Sequence, residues 1–462
     1  MPTFVEFFAG GGCARLGLGD SWKCLFANDF SAKKVASYRA NFGPSEIRLA
    51  DIRNVEASAI PAADLWWASF PCQDHSIAGR GLGFAGERGS LVFEITRLLD
   101  AAIIAGTAPK LLVMENVVGF VRAFEGQDFA AVMTALVSAG YYVGAVMMDA
   151  RDFLPQSRER MMIVAVRIDI PRAPELTAKT PQDKWHSKTL RRSVSRLPAE
   201  VSKRWHWWRM PLPPEHGLGL KDMIDHPELP DLKWMPPAKI AELLTKVVGR
   251  DAARLEKAKQ AGKPVVATIM GARKDSTEGT VRTFTVRTDG IAGCLLCRTK
   301  SNRQRLMLID GERVDIRNLS IRELGRLMGL PGGYKLPASE TDAVHLTGDG
   351  LVVPVIRWLA AHLLEPLLAG AAARPRTAVV KQPRARAIRQ RKEPAARDVA
   401  APGGIKRSTV ATTAYFLPEE AVRLHGVAAE MGVSLHEMVI IALDGVLARR
   451  GEQPVRRYSA RR

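Results

Sequence analysis

Cysteine is scarce in this chain: five in 462 residues, at positions 13, 24, 72, 294 and 297. So sparse and odd a set excludes a disulfide-stapled scaffold. Cys294-Leu-Leu-Cys297 has the spacing of half a zinc knuckle, but no second Cys/His pair stands nearby to complete four ligands, and no metal is expected. Acidic residues are also few, 48 against 67 Lys and Arg, for a net charge of +19. That excess favours a polyanionic partner, nucleic acid first and an anionic membrane second. Long uninterrupted apolar runs are missing. The most hydrophobic stretch, Leu351–Leu368, carries Pro354, Arg357, His362, Glu365 and Pro366, so it reads as a packed helix and no membrane partner is expected. With no leader before the first apolar run at Thr3, an intracellular, cytoplasmic protein is expected.

What is present is ordinary globular material, 47% apolar and 25% charged, long enough for two or three domains. Over residues 1–168 short apolar runs (Thr3–Phe8, Lys23–Ala27, Asp64–Ser69, Lys110–Met114, Tyr142–Asp149, Met161–Val166) alternate with helical patterns near Ala32–Asn41, Ser90–Ala105 and Phe129–Ala139. That rhythm predicts an α/β fold with a mostly parallel sheet covered on both faces. Residues 169–335 lose it. They are rich in proline, tryptophan and scattered Arg/Lys, and read as a separate, irregular domain. Residues 336–370 return to helix against the first domain, residues 371–407 form a basic Ala/Arg/Pro linker, and a small ordered unit follows at 408–462. Residues 371–462 hold 18 basic and 8 acidic residues, about half of the net charge.

Two regions carry chemistry. Phe4-Val-Glu-Phe-Phe-Ala-Gly-Gly-Gly-Cys13 runs a strand into a glycine turn and then a helix, which lets backbone approach a ligand closely. Asp29, after the second run, is placed to hold ribose hydroxyls, and Asp51 to accept from an adenine amino group. Each acid alone is more often a solvated loop residue or helix cap. Together they describe an adenosine pocket without a phosphate-binding lysine, which suits S-adenosylmethionine better than ATP. The second region is Phe70-Pro-Cys-Gln73, just past a buried strand, with Glu115-Asn116 past another. A lone cysteine is commonly a small buried hydrophobe. A thiol and a carboxyl group at two neighbouring strand ends point instead to attack on an electrophilic ring that needs a proton elsewhere.

The motif order makes the chain resemble the DNA (cytosine-5) methyltransferases, of prokaryotic or phage type, over residues 3–368. The resemblance rests on Phe8–Gly12, Asp29, Asp51-Ile52, Pro71-Cys-Gln73 with Ser76-Ile-Ala-Gly79, and Glu87-Arg-Gly-Ser-Leu91. It continues through Glu115-Asn-Val117, Gln156-Ser-Arg-Glu-Arg160, Arg317-Asn-Leu-Ser-Ile-Arg-Glu323 and Arg326-Leu-Met-Gly-Leu-Pro331. It implies a Rossmann-like S-adenosylmethionine-dependent methyltransferase domain with a smaller, irregular target-recognition domain, acting on double-stranded DNA. By the same resemblance Cys72 adds to C6 of a flipped cytosine, Glu115 supplies N3 with a proton, Arg160 meets O2 and Arg158 supports the catalytic loop. Phe8, Ala9, Gly10, Gly12, Asp29, Phe30, Asp51, Ile52 and Pro71 line the cofactor site. Asp349, in Gly348-Asp-Gly-Leu-Val-Val-Pro354 where Asn is usual, meets the methionine amino group. Glu6 stands where Asp is common, Cys13 where Gly is frequent, and His75 where Phe is common.

A restriction–modification methylase and a solitary one fit equally, and a tRNA cytosine-5 methyltransferase or a DNA-binding regulator are the rival readings. The regulator reading comes from the tail, which resembles a ribbon-helix-helix module. Thr409–Leu417 alternates like a strand, Pro418-Glu-Glu420 opens a helix, Gly432 stops it, and Ser434-Leu-His-Glu437 is a capping box for a second. Such modules dimerise through a shared ribbon, so a homodimer is expected, together with association with the nucleoid. A helical hairpin packed on the main domain is the alternative.

Overall fold

The apolar runs form strands because each is buried on both faces. Leu65–Ala68 and Leu111–Met114 are almost fully inaccessible, as the strands of a doubly covered parallel sheet must be. The structure is a computed structural model of the chain and describes residues 1–71, 91–171, 173–276, 279–297 and 303–372. Seven strands, β1 (Thr3–Phe7), β2 (Lys23–Asp29), β3 (Ile47–Leu49), β4 (Leu65–Ser69), β5 (Leu111–Val117), β6 (Tyr141–Asp149) and β7 (Glu159–Arg167), make one sheet in the order β3-β2-β1-β4-β5-β7-β6. The first five in that order run parallel, and β7 inserts antiparallel between β5 and β6. The mixed α/β class is therefore the one expected. β3 was not expected: it is three residues long and only Ile47 is buried.

Alternate residues of each strand feed two cores, as period-two geometry requires. Phe4, Trp67, Leu111 and Val113 point to one face, where α1 (Cys13–Leu18) meets the C-terminal helices. Val5, Phe7, Trp66, Leu112 and Met114 point to the other, under α3 (Leu91–Ile104) and α4 (Gln127–Ser138). The second helix, α2 (Ala32–Phe42), starts at a Ser31 cap and packs Tyr38 into the first core.

The tryptophan-rich stretch divides in two. β8 (Thr177–Ala178), α5 (Lys188–Val194), α6 (Ala199–Ser202) and β9 (Trp207–Trp208) pack onto the β6 side of the large sheet, with Trp185 and Trp208 buried there. Gly144 on β6 lets them in, since a Cβ there would lie 2.5 Å from the Trp208 indole nitrogen. A second sheet is built later, from β10 (Val265–Ser276), β11 (Gly279–Arg287), β12 (Gln304–Asp310) and β13 (Arg313–Asn318), antiparallel in the order β11-β10-β12-β13. Helices α7 (Pro237–Leu244) and α8 (Arg250–Lys259) cover it, around Ile240, Leu243, Leu255, Ile269, Phe284 and Met307.

The chain then returns to the first core through α9 (Ile321–Leu327), α10 (Glu340–Asp349), α11 (Val353–Leu359) and α12 (Glu365–Ala372). Glu340–Gly370 has the length and apolarity of a membrane span, but Ile356, Leu359, Ala360, Leu363 and Leu364 are fully buried in that core. Gly17 of α1 sits against Ile356 so closely that a Cβ would lie 2.3 Å from the isoleucine Cβ. The linker and the ribbon-helix-helix-like segment lie outside the described residues, apart from the end of α12.

Candidate active site and cofactor pocket

Strand order reverses between β1 and β4, and an open α/β sheet binds ligands at the carboxyl ends of strands beside such a reversal. A cavity of about 370 Å³ lies there. One wall is the β1–α1 turn, in which Phe8, Gly10 and Gly12 all take the left-handed region (φ 56, 56 and 79°). At Gly12 a side chain would also strike the Phe42 ring, 2.4 Å from its Cβ. Gly10 faces open space, and its N–H donates to Asp29 Oδ2 at 2.9 Å while Ser31 N–H donates to Oδ1 at 2.8 Å. Asp29 thus fixes the turn and still lines the cavity. Phe30 beside it is 60% exposed, a large ring left uncovered at the cavity.

Asp51 also lines the cavity and caps the short helix Ile52–Asn54, with its carboxylate 2.6 Å from the Arg53 guanidinium. Hydrogen bonds from Arg53 hold its pKa below the ordinary value. Ile52 is buried.

The opposite end holds Glu115 and Arg160. The β5–β7 register pairs Val117 with Arg160 and Glu115 with Met162, and Arg160 Nε lies 3.2 Å from Glu115 Oε1. Burial pushes the Glu115 carboxyl above its ordinary value, against the opposing pull of Arg160, Arg158 and a hydrogen bond with Ser69. Asn116 donates to the Phe70 carbonyl at 3.2 Å and Phe70 packs edge-on against Phe120 at 5.3 Å. Together they clamp the turn into Pro71, which lines the cavity. Cys72, with Gln73, the Ser76–Gly79 motif and the glycine-rich segment to Ser90, lies outside the described residues.

Arg158, grouped with the catalytic residues from sequence, is not among the residues lining the cavity. Its buried guanidinium donates to the carbonyls of Leu295, Gly348 and Gly350 at 2.9, 2.7 and 2.6 Å, and lies 3.2 Å from Cys294 Sγ. It braces the 348–350 wall against the connection between β11 and β12, and the reason is chemical: a buried guanidinium must find acceptors, and three carbonyls converge there. Asp349 lines the cavity with its carboxylate already bonded to Lys34 Nζ (2.7 Å) and the Cys297 thiol (2.9 Å). The Cys294–Cys297 pair thus addresses two different partners, and among the described residues no group of three or more His, Cys, Asp or Glu could hold a metal.

Three pocket residues have no role assigned from the sequence, Glu6 among them although it is noted there as standing where Asp is common. Glu6, in the middle of β1, is 2% exposed, and burial raises its pKa to about 8. Its signal was available: an acid inside an apolar strand. Ser69 bonds Glu115 from the end of β4. Lys34 meets Asp349 from 315 residues away, and nothing local announces it. The described residues fit a cationic adenosyl ligand: an open glycine turn, an uncovered ring beside a carboxylate, and a buried Glu6 oxygen with no hydrogen-bond partner.

Comparison with known proteins agrees with this geometry. The family model of the C-5 cytosine-specific DNA methylases matches residues 2–365. The chain is 30% identical over 376 residues to the Type II methyltransferase M.BsuFI of Bacillus subtilis, covering 79% of this chain and 73% of that protein. It is 26% identical to the Type II methyltransferase M.HhaI of Haemophilus parahaemolyticus, over 78% of this chain and 93% of that one. Among solved structures, the S. pombe Dnmt2 methyltransferase superposes with a TM-score of 0.52 at 16% identity, over 79% of this chain and 99% of that chain, a likeness of fold. The chain belongs to the C-5 cytosine-specific DNA methylase family and is an S-adenosylmethionine-dependent enzyme that methylates cytosine in DNA.

Proposed function

We propose that the enzyme methylates one cytosine within a specific double-stranded DNA sequence through a transient bond between Cys72 and C6 of the base. The observation that carries this is the buried Glu115–Arg160 pair, beside the turn that delivers Pro71 and, next in the chain, Cys72. The base must leave the duplex to reach such a pocket. Cys72 then adds as thiolate to C6, and the electron pair moves toward N3, where a protonated Glu115 donates its hydrogen. Burial is the larger influence on Glu115, and it keeps that proton available near neutral pH. Arg160, which lines the cavity 3.2 Å from the Glu115 carboxyl, holds O2. The cationic field of Arg160 and its neighbours favours the thiolate. S-adenosylmethionine supplies the methyl group, held by Asp29 at the ribose, by Phe30, Asp51 and Ile52 at the adenine, and by the Phe8–Gly12 turn. Loss of the C5 proton to water, expulsion of the Cys72 sulfur as thiolate and return of the N3 proton to Glu115 complete the cycle.

In this reading residues 169–335 choose the sequence, and the enzyme is the modification half of a restriction–modification pair or a solitary methylase. We also infer that residues 408–462 pair two chains and hold the enzyme on the nucleoid. A chain ended at residue 370 would then sediment as a monomer. The deciding experiment offers duplex DNA carrying 5-fluorocytosine in the target sequence, found by bisulfite sequencing of an expressing host, together with S-adenosylmethionine. A covalent complex that Cys72→Ser abolishes supports the mechanism; methylation by Cys72→Ser at the wild-type rate would remove Cys72 from it. Parallel assays on tRNA test the rival substrate.

A further inference from the structure

Lys34 and Asp349 form a pair that helix energetics alone does not favour. Lys34 lies in the first turn of α2 and Asp349 is the last residue of α10. A cation near a helix N-terminus and an anion at a C-terminus both oppose the helix dipole. The pair is also partly exposed, with side chains 22% and 40% accessible, where an ion pair adds little stability. Both residues line the cavity, and Asp29 stands close enough to act on Lys34 electrostatically. Asp349 occupies a position where the family resemblance expects a neutral Asn, and Lys34 supplies the counter-charge that a carboxylate there requires. The Cys297 thiol donates to Asp349 Oδ1, which leaves Oδ2 facing Lys34.

The result is a fixed positive and a fixed negative group side by side on the wall of a cavity that takes S-adenosylmethionine. The amino-acid end of that molecule carries an α-ammonium and an α-carboxylate on one carbon. We propose that Lys34 binds the α-carboxylate while Asp349 takes the α-ammonium, so that the pair reads the zwitterion as a unit. This rests on the assignment of the cavity to S-adenosylmethionine.

The test is equilibrium binding to the full chain, by titration calorimetry, of S-adenosylmethionine and of its decarboxylated analogue. A charge-assisted contact gives the wild type a preference for the carboxylate-bearing ligand of about ten- to a hundred-fold. Lys34→Gln should lose that preference by weakening S-adenosylmethionine alone, and Lys34→Arg should keep most of it. Equal weakening of both ligands by Lys34→Gln would show a merely structural ion pair and overturn the proposal. So would a wild type that does not distinguish the two ligands, a result that needs no variant to fold. Failure of the wild type to bind either ligand would instead overturn the cofactor assignment itself.

Discussion

Glu6 makes the stability of this enzyme depend on pH in a direction opposite to that of a salt-bridged acid. The side chain is 2% exposed, in the middle of β1, and one carboxyl oxygen has no hydrogen-bond partner among the described residues. Burial raises its pKa from 4.5 to about 8, against the pull of Arg15 and of backbone N–H groups at Ala14 and Arg15. The native state therefore keeps a proton that the unfolded chain releases. Stability from this group is full below the unfolded value and is lost as pH rises through the native one. At about 1.4 kcal/mol per pH unit, the interval from 4.5 to about 8 amounts to about 5 kcal/mol. Glu6→Gln removes the titration and keeps the shape. Its amide adds an offset from an unpaired buried N–H, but that offset does not vary with pH. Urea unfolding of ligand-free protein at a series of pH values should show wild type losing about 4 kcal/mol relative to Glu6→Gln between about pH 5 and about pH 8.5. Parallel curves for the two proteins would refute the reasoning, because a neutral Glu6 in the native state cannot coexist with them.

Two further sets of substitutions test the packing around the site. Glu323 is fully buried and accepts from both Arg317 nitrogens and from the N–H groups of Ser320 and Asp225, at 2.6 to 2.7 Å. Glu323→Gln turns one acceptor into a donor facing donors, so a loss of about 3–5 kcal/mol is expected by chemical denaturation. Replacing the pair with Arg317→Met and Glu323→Leu should recover only part, since two backbone N–H groups stay unpaired at about 1–3 kcal/mol each. Gly17→Ala should cost about 1–3 kcal/mol by forcing α1 from α11, and Ile356→Gly, which removes both the Cβ and the Cγ2 that the new methyl would meet at 2.3 and 2.5 Å, should relieve part of that cost in the double variant, measured by the same unfolding midpoint. Additive losses would mean that the two helices do not share that contact.

Much of the fold was legible because its cause is local. Parallel strands buried on both faces leave continuous apolar runs, so six of the seven strands of the large sheet show in the sequence, while β3, with one buried residue, does not. The glycine turn, Asp29, Pro71 and Glu115 were readable for a similar reason, since each sits at a strand end where the chain must turn and face a ligand. Arg158 stands two residues from Arg160, just ahead of β7, and of the two only Arg160 lines the cavity. The longer reach into the carbonyls of Leu295, Gly348 and Gly350 belongs to the three-dimensional packing.

The sequence by itself determined the class of the sheet, the order of the motifs and the functional groups offered near the strand ends, because these follow from hydrophobic periodicity, backbone freedom and residue identity. Only the tertiary structure decided that the tryptophan stretch splits between two cores, that one Glu6 carboxyl oxygen is left without a hydrogen-bond partner among the described residues, and that Lys34 meets Asp349. Those are outcomes of desolvation and of contact between segments up to 315 residues apart, and neither quantity is written in any local stretch of chain.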